Sequence, residues 1–340
     1  MSVPNSAAWI TAEMAYPLEV KDAPYPTPGD DELVIRNYAI GLNIVDWARQ
    51  AMGAALFSWT TYPTVLGADV AGEVVEVGQA ASSRFKPGDR VLSLARGLMS
   101  NNPAEGAFQI YVVLSAKLTT HIPTNVPFEE AAVIPLGIYT ASCGLFQEDH
   151  LALQFPTEPS SEHTGETVLI WSGSSSVGSN AIQLAVAAGY EVFTTASPKN
   201  FDYVKSLGAS QAFDYHRSAV EDEIVAAFKG KTSTGALAIG PTAADPCGRI
   251  VSRINGKKFV SLANHFSGVL PDGVESKFIF SIDSDIGPRV FEEYLPSALQ
   301  ADTFKPAPRA EVVGHGLESV QKGLDKLKDG VSATKLVISL

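Results

Sequence analysis

The sequence predicts an α/β protein in which a doubly wound parallel sheet follows a β-rich first part, and three observations carry that reading. Residues 166–199, ETVLIWSGSSSVGSNAIQLAVAAGYEVFTTASPK, run from an apolar stretch through a small-residue turn into an apolar-periodic helix and then a second apolar stretch. Beyond them, short apolar runs alternate with helical patterns, as parallel strands joined by crossover helices do. The first 120 or so residues instead show β-branched runs between turn residues, at a spacing that suggests a compact, partly closed barrel.

In the first part the expected strands are Leu33–Tyr38, Val70–Val77, Arg90–Leu94 and Phe108–Leu114. Pro28-Gly29-Asp30 and Lys86-Pro87-Gly88-Asp89 are the turn signals between them. Helical patterns follow over Glu129–Ile134 and Ile138–Phe146, joined through Pro135-Leu136-Gly137, and the polar, proline-containing 147–165 reads as a surface loop. Thr167–Trp171 is then a strand, a helix starts near Val177 and ends at Gly189, and Glu191–Thr195 is the next strand. Helix Asn200–Leu207, strand Ala212–Phe213, helix Val220–Lys229 and strands Ala236–Ile239, Lys258–Leu262 and Lys277–Ser281 continue the alternation. An amphipathic helix Pro288–Gln300, a helix Leu317–Asp329 and an apolar strand Lys335–Leu340 close the chain. The expected domains are 1–130, a nucleotide-binding domain 131–285, and a return to the first part over 286–340.

The strand–turn–helix–strand order is that of a Rossmann-type unit, and its turn suits a phosphate. Gly173 and Gly178 bracket three serines, which lets backbone N–H groups approach a pyrophosphate, and the helix adds its positive dipole end. Ser176 stands where glycine or alanine is usual. The glycines by themselves fit a merely tight turn equally well; the flanking elements favour a dinucleotide. An NAD site normally ends the second strand in an acid that binds the ribose hydroxyls. Here it ends in Ala196-Ser197-Pro198-Lys199-Asn200, whose hydroxyl and ammonium suit a 2′-phosphate, so NADP is expected. Tyr215 and Arg217 are further candidate walls for the adenosine end.

With 340 residues, 45% hydrophobic and 18% charged, the chain suits two domains, or one large one, of a globular enzyme. A net charge of −12 opposes a nucleic-acid footprint and adhesion to anionic membrane. The opening segment lacks the basic start and long apolar block of a secretory signal, and no run approaches a membrane span. Cys143 and Cys247 are too few for a disulfide framework, so a cytoplasmic protein is expected.

Gly41–Trp47, Tyr62–Val74, Phe85–Val91, Gly106–Phe108, Ala131–Pro135, the nucleotide unit and Asp329–Val337 together resemble the medium-chain dehydrogenase/reductase superfamily, over essentially the whole chain and in that family's order. The resemblance implies a GroES-like partly closed barrel before the Rossmann sheet. Zinc-dependent members have a cysteine and a Gly-His-Glu triplet where this chain has Val45 or Asp46 and Gly67-Ala68-Asp69. The four cysteines of a structural zinc lobe are missing from 85–115, and the six histidines show no ligand spacing, so no metal is expected.

Within the superfamily, Trp171–Gly178, Ser197–Asn200 and Pro135–Cys143 are similar to the fungal trans-acting enoyl reductases that serve polyketide synthases. That resemblance implies NADPH-dependent reduction of an α,β-unsaturated acyl thioester in secondary metabolism, with a synthase carrier domain as possible partner and a monomer or homodimer as the assembly. Carried onto matching positions, the cofactor would contact Val45, Asp46, Trp47 and Ala48, then Ser174, Ser175, Ser176 and Val177, then Ser197, Pro198, Lys199 and Asn200. Tyr215, Leu262, Ala263, Val331 and Ser332 complete that set. The acyl chain would lie along Leu136, Gly137, Ile138, Tyr139, Thr140, Ala141, Ser142 and Cys143, and near Ile279, Phe280, Ser281, Ile282 and Asp283. Many members of this branch have lysine where Ala48 stands.

Conjugate reduction needs a hydride at the β-carbon and a proton at the α-carbon. Tyr139 and Asp46 are the candidate catalytic residues. The Tyr139 phenol suits proton donation or plain packing, whereas Asp46 suits orientation of backbone or ribose more than acid chemistry. Asn43 fits a cap or a contact to the carboxamide equally. The apolar run Ala51–Trp59 fits the wall of an acyl pocket or simple core. A quinone or small-enone reductase of the same fold, and a catalytically altered non-redox pathway protein, remain as alternatives.

Overall fold

The computed structural model of the chain describes residues 3–280 and 284–340. Two compact units divide it, Met1–Leu136 with Arg309–Leu340, and Gly137–Pro308.

The second unit is the doubly wound one. Its sheet runs Gln211–Asp214, Glu191–Ala196, Glu166–Trp171, Thr232–Ala238, Phe259–Leu262, Glu275–Phe278, every pair parallel. Counted along the chain this is the order 3-2-1-4-5-6, which reverses direction beside the first strand and brings its turn to the carboxyl edge of the sheet. Leu169, Phe193, Ile224, Phe228, Ile250 and Val260 form the core on one face. The helix Ala244–Arg253 was not expected. Its Cys247, Ile250 and Val251 do follow helical spacing, and Pro246 sits in the first turn, where a missing N–H costs nothing.

The first unit carries two sheets. Asn5–Ile10 lies between Glu19–Ala23 and Thr64–Val65, and a larger sheet runs Arg309–His315, Thr334–Ser339, Glu32–Gly41, Asp69–Val77, Arg90–Leu94, Thr119–His121, with Tyr111–Ser115 also pairing Glu32–Gly41. The pairs are antiparallel except Arg309–His315 with Thr334–Ser339. This is the expected barrel-like part. The strands Glu19–Ala23 and Arg309–His315 escape sequence reading because neither is fully buried along one face.

Strand and helix ends move by a few residues, as Lys277–Ser281 does to Glu275–Phe278, and three larger expectations shift. The helix Pro135–Phe146 starts at Pro135, not after it, because proline suits the first helical position. Pro288–Gln300 is broken into Ile286–Arg289, a π turn Val290–Tyr294 and Leu295–Gln300; Pro296, lacking an N–H, interrupts the ladder there. The chain returns to the first unit at Arg309 rather than at 286. Residues up to Pro308 are held in the second unit by buried Phe291, Tyr294, Leu295 and Phe304 and by Gln183. The Gln183 amide donates to the Lys305 carbonyl (3.1 Å) and accepts from the Lys305 N–H (2.8 Å).

Candidate active site

In the second unit the turn Ser172–Ser175 joins strand Glu166–Trp171 to helix Ser176–Ala187. Packing demands both of its glycines. A Cβ on Gly173 would stand 2.1 Å from Thr194 Oγ1, and one on Gly178 would stand 2.3 Å from the Ser172 carbonyl oxygen. Ser172 holds a left-handed backbone (φ 68°), fixed by its N–H on Thr195 Oγ1 (2.9 Å) and its hydroxyl on the Ile239 carbonyl (2.8 Å). Ser175 is the helix N-cap; its Oγ accepts the Gly178 N–H (3.1 Å) and donates to the Ser172 carbonyl (2.7 Å). Ser176 differs, since its Oγ is buried with no hydrogen-bond partner among the described residues. A buried hydroxyl left unpaired costs free energy unless a ligand satisfies it. Ser174 and Val177 are half-buried beside it.

At the end of the second strand, Ser197 Oγ and Tyr215 Oη lie 3.1 Å apart. Pro198 and Lys199 are exposed, Asn200 is buried, and the Asn200 amide makes a long contact (3.4 Å) to Ser174 Oγ. The expected adenosine walls Tyr215 and Arg217 line one polar hollow of about 470 Å³, together with Trp171, Thr242 and Arg249. An acid missed at the sequence level stands near. Asp214 is in register with Ala196 one strand over, and its carboxylate accepts the His216 N–H (3.1 Å) and bonds the His216 ring (2.9 Å). Those two contacts hold its pKa below the ordinary value. Leu262 is buried at its strand end, and Ala263 follows half-buried with its N–H on the Ala238 carbonyl (2.9 Å).

The segment expected to hold the acyl chain is a helix, so its faces differ. Ile138, Ala141, Ser142 and Cys143 are completely buried, and Gly137 is buried. Leu136, Tyr139 and Thr140 are half-buried. Only those three side chains of the segment have surface to offer a ligand. A Cβ on Gly287 would stand 2.1 Å from the Tyr139 ring, so the ring packs directly against that glycine. Ile279 is brought to the same helix, within 2.7 Å of where a Gly144 Cβ would be. Phe280 is exposed, while Ser281, Ile282 and Asp283 lie outside the described residues.

In the first unit Val45, Trp47 and Ala48 are half-buried on the helix Ile44–Met52. The buried Asp46 turns inward, and its carboxylate accepts the Asn43 N–H (2.8 Å). Burial pushes its pKa up to about 7, against the Asn43 bond; Asp69 adds to the rise, and Lys335 and Arg49 oppose it. Arg49 does not replace the lysine missing at Ala48, because it is buried and donates to Thr60 Oγ1 (3.1 Å). Ala51–Trp59, read as a pocket wall or core, holds a short helix Ala54–Phe57 with Leu56 exposed.

Two charged residues the sequence reading left without a role complete this region. Asp69, fully buried, accepts the Leu136 N–H on Oδ1 (2.7 Å), and on Oδ2 the Lys335 ammonium (2.8 Å) and the Asn43 amide (3.0 Å). Lys335 also donates to Asn43 Oδ1 (2.5 Å). Each stands at the start of a strand, Asp69 as the first residue of Asp69–Val77 and Lys335 as the second of Thr334–Ser339. Val331 and Ser332 are exposed just before the strand Thr334–Ser339 that holds Lys335.

Among the described residues no three His, Cys, Asp or Glu side chains are grouped to hold a metal, and no helix is long and apolar enough to cross a membrane.

Residues 29–124 match the alcohol dehydrogenase GroES-like domain. The chain is 50% identical to dehydrogenase pigH of Monascus ruber, over 99% of each. It is 37% identical to trans-enoyl reductase himH of Aspergillus japonicus, over 100% of this chain and 98% of that one. The crystal structure of the CurK enoyl reductase superposes with a TM-score of 0.75 at 20% identity, over 98% and 99% of the two chains. The doubly wound unit, the barrel-like unit and full-length likeness at this identity define an oxidoreductase fold. The chain belongs to the medium-chain dehydrogenase/reductase superfamily, among members like the fungal trans-enoyl reductases.

Proposed function

We propose that this chain is an NADPH-dependent reductase of an activated C=C bond, a trans-acting enoyl reductase whose substrate is a polyketide acyl thioester carried by a synthase. The observation that carries the cofactor is the Gly173–Gly178 turn, with Ser176 Oγ buried and unsatisfied among the described residues. The residues present fit a dinucleotide. First-turn N–H groups of the helix Ser176–Ala187 lack acceptors within the helix, and Ser175 takes only that of Gly178. Ser197, Lys199 and Tyr215 supply two hydroxyls and an ammonium for a 2′-phosphate. Asp214, one strand over, opposes this choice, but His216 already holds its carboxylate.

When bound, a reduced nicotinamide supplies the hydride for the β-carbon of the unsaturated thioester. What the protein does is orient and donate. Tyr139, its ring fixed on Gly287, is the candidate to give a hydrogen bond or proton toward the α-carbon and the developing enolate. Leu136 and Thr140 flank it with partly exposed surface for an acyl chain. Asp46 has its carboxylate on the Asn43 N–H, and serves as an orienting group rather than the acid. Relatives named trans-enoyl reductases support the substrate class, and a metal-free mechanism accords with Ala68 and Asp69 in the Gly-His-Glu positions.

Calorimetric titration with NADPH and NADH, followed by NADPH consumption with an enoyl-pantetheine and with benzoquinone, tests this reading. Tighter binding of NADPH and turnover of the thioester are expected. Turnover of the quinone alone would move the substrate to free small molecules, and stoichiometric zinc in the purified protein would end the proposal.

A further inference from the structure

We propose that Lys335 is a positioning residue of the active site, the buried cation that sets the heads of two helices, Ile44–Met52 and Pro135–Phe146, through Asn43 and Asp69. The proposal rests on the reductase reading, because those heads carry Val45–Ala48, expected against the cofactor, and Leu136, expected against the acyl chain.

The connections are short and buried. The Lys335 side chain is 5% exposed and that of Asp69 is 0% exposed, so neither charge has water to stabilise it and each depends on the other. Asp69 divides its oxygens: Oδ1 takes the Leu136 N–H, which lies in the first helical turn and has no acceptor within that helix. Oδ2 takes Lys335 and the Asn43 amide. Lys335 closes a triangle by donating to Asn43 Oδ1, which leaves the Asn43 amide with both ends fixed. The Asn43 N–H then fixes Asp46. One ammonium at the start of the last strand thus determines where the loop before the first helix stands and how the second helix begins. Hydrogen bonds to an ionised group are the strong ones, and they weaken together if the counter-ion goes.

Amide hydrogen exchange of the whole chain, without cofactor or substrate, tests this directly. In Lys335→Met, exchange in segments 41–46 and 134–138 is expected to quicken about ten- to a hundredfold, the loss of a charge-assisted bond, while strands 166–171 and 191–196 keep wild-type protection. In turnover the same variant is expected to lose kcat about tenfold or more with the Km for NADPH changed by less than about twofold, since the adenosine end binds elsewhere. Wild-type exchange in both segments overturns the proposal, whatever the activity. Should Lys335→Met fail to fold, the double variant Asp69→Asn with Lys335→Met strands no charge and answers instead. Faster exchange in both segments of it supports the proposal, and wild-type exchange overturns it. If the wild-type protein reduces no enone at all, the reductase reading fails and exchange still decides where Lys335 acts.

Discussion

The Gly173–Gly178 turn and the Lys335–Asp69 cluster both prepare a site, the first by leaving room and the second by filling it. At the turn, side chains are removed so that Gly173 meets the Thr194 hydroxyl and Gly178 the Ser172 backbone, and the polar groups are neutral hydroxyls, one of which has no partner among the described residues. In the cluster the buried Asp69 carboxylate, Lys335 ammonium and Asn43 amide are bonded to one another, and the buried Asp46 carboxylate accepts the Asn43 backbone N–H. The turn therefore tolerates almost no added atom, and the cluster almost no removed charge.

The largest effect should come from removing a charge. Asp69→Ala leaves Lys335 buried and uncompensated, and unfolding measured by denaturant should show a loss of about 3–5 kcal/mol. Asp69→Ala with Lys335→Met should recover most of it. Equal loss in the single and double variants would mean that the pair contributes by packing alone.

A pH titration sharpens the cluster's half of the contrast. Burial raises the Asp46 pKa to about 7, well above its unfolded value. Between about pH 4 and pH 7 the unfolded chain has released that proton while the folded chain keeps it. The stability Asp46 contributes is thus complete below about pH 4 and lost as pH rises toward 7, by a few kcal/mol at most. Asp46→Asn, which keeps an acceptor for the Asn43 N–H, should flatten that slope, so the variant gains on wild type as pH rises. Parallel stability curves from pH 4 to 8 would contradict the burial argument.

The turn's half is tested by adding an atom. Gly173→Ala should cost about 1–3 kcal/mol in thermal unfolding, because its methyl meets Thr194. Weaker NADPH binding should accompany it. Ser176→Ala removes a hydroxyl that no described residue satisfies, so it should leave stability unchanged or raised slightly while weakening NADPH binding. The smallest effect is expected at the rim. Lys199→Glu, at an exposed position, should reduce the preference for NADPH over NADH by about tenfold in titration, with stability unmoved.

The same contrast explains what the residues disclosed in advance. The turn could be read because its causes are local: apolar period, glycine spacing and strand ends all lie within residues 166–199. Arg90–Leu94 was likewise placed to the residue, bounded by a Pro-Gly-Asp turn. The cluster could not be read, because its bonds join residues 26, 266 and 292 positions apart. Asp69 and Lys335 were seen as family markers, and their pairing follows only from strand register. Asp214 was missed for the same reason, since it neighbours Ala196 across a ladder and not along the chain. The segment Leu136–Cys143 was read as a continuous lining, although a helix can offer only one face of it.

Reduction with NADPH carrying deuterium at nicotinamide C4, using an enoyl-pantetheine and mass spectrometry of the product, tests the central claim most directly. The account predicts a saturated thioester with deuterium on its β-carbon. Labelled NADPH left unconsumed, or a product with its double bond intact, would contradict it.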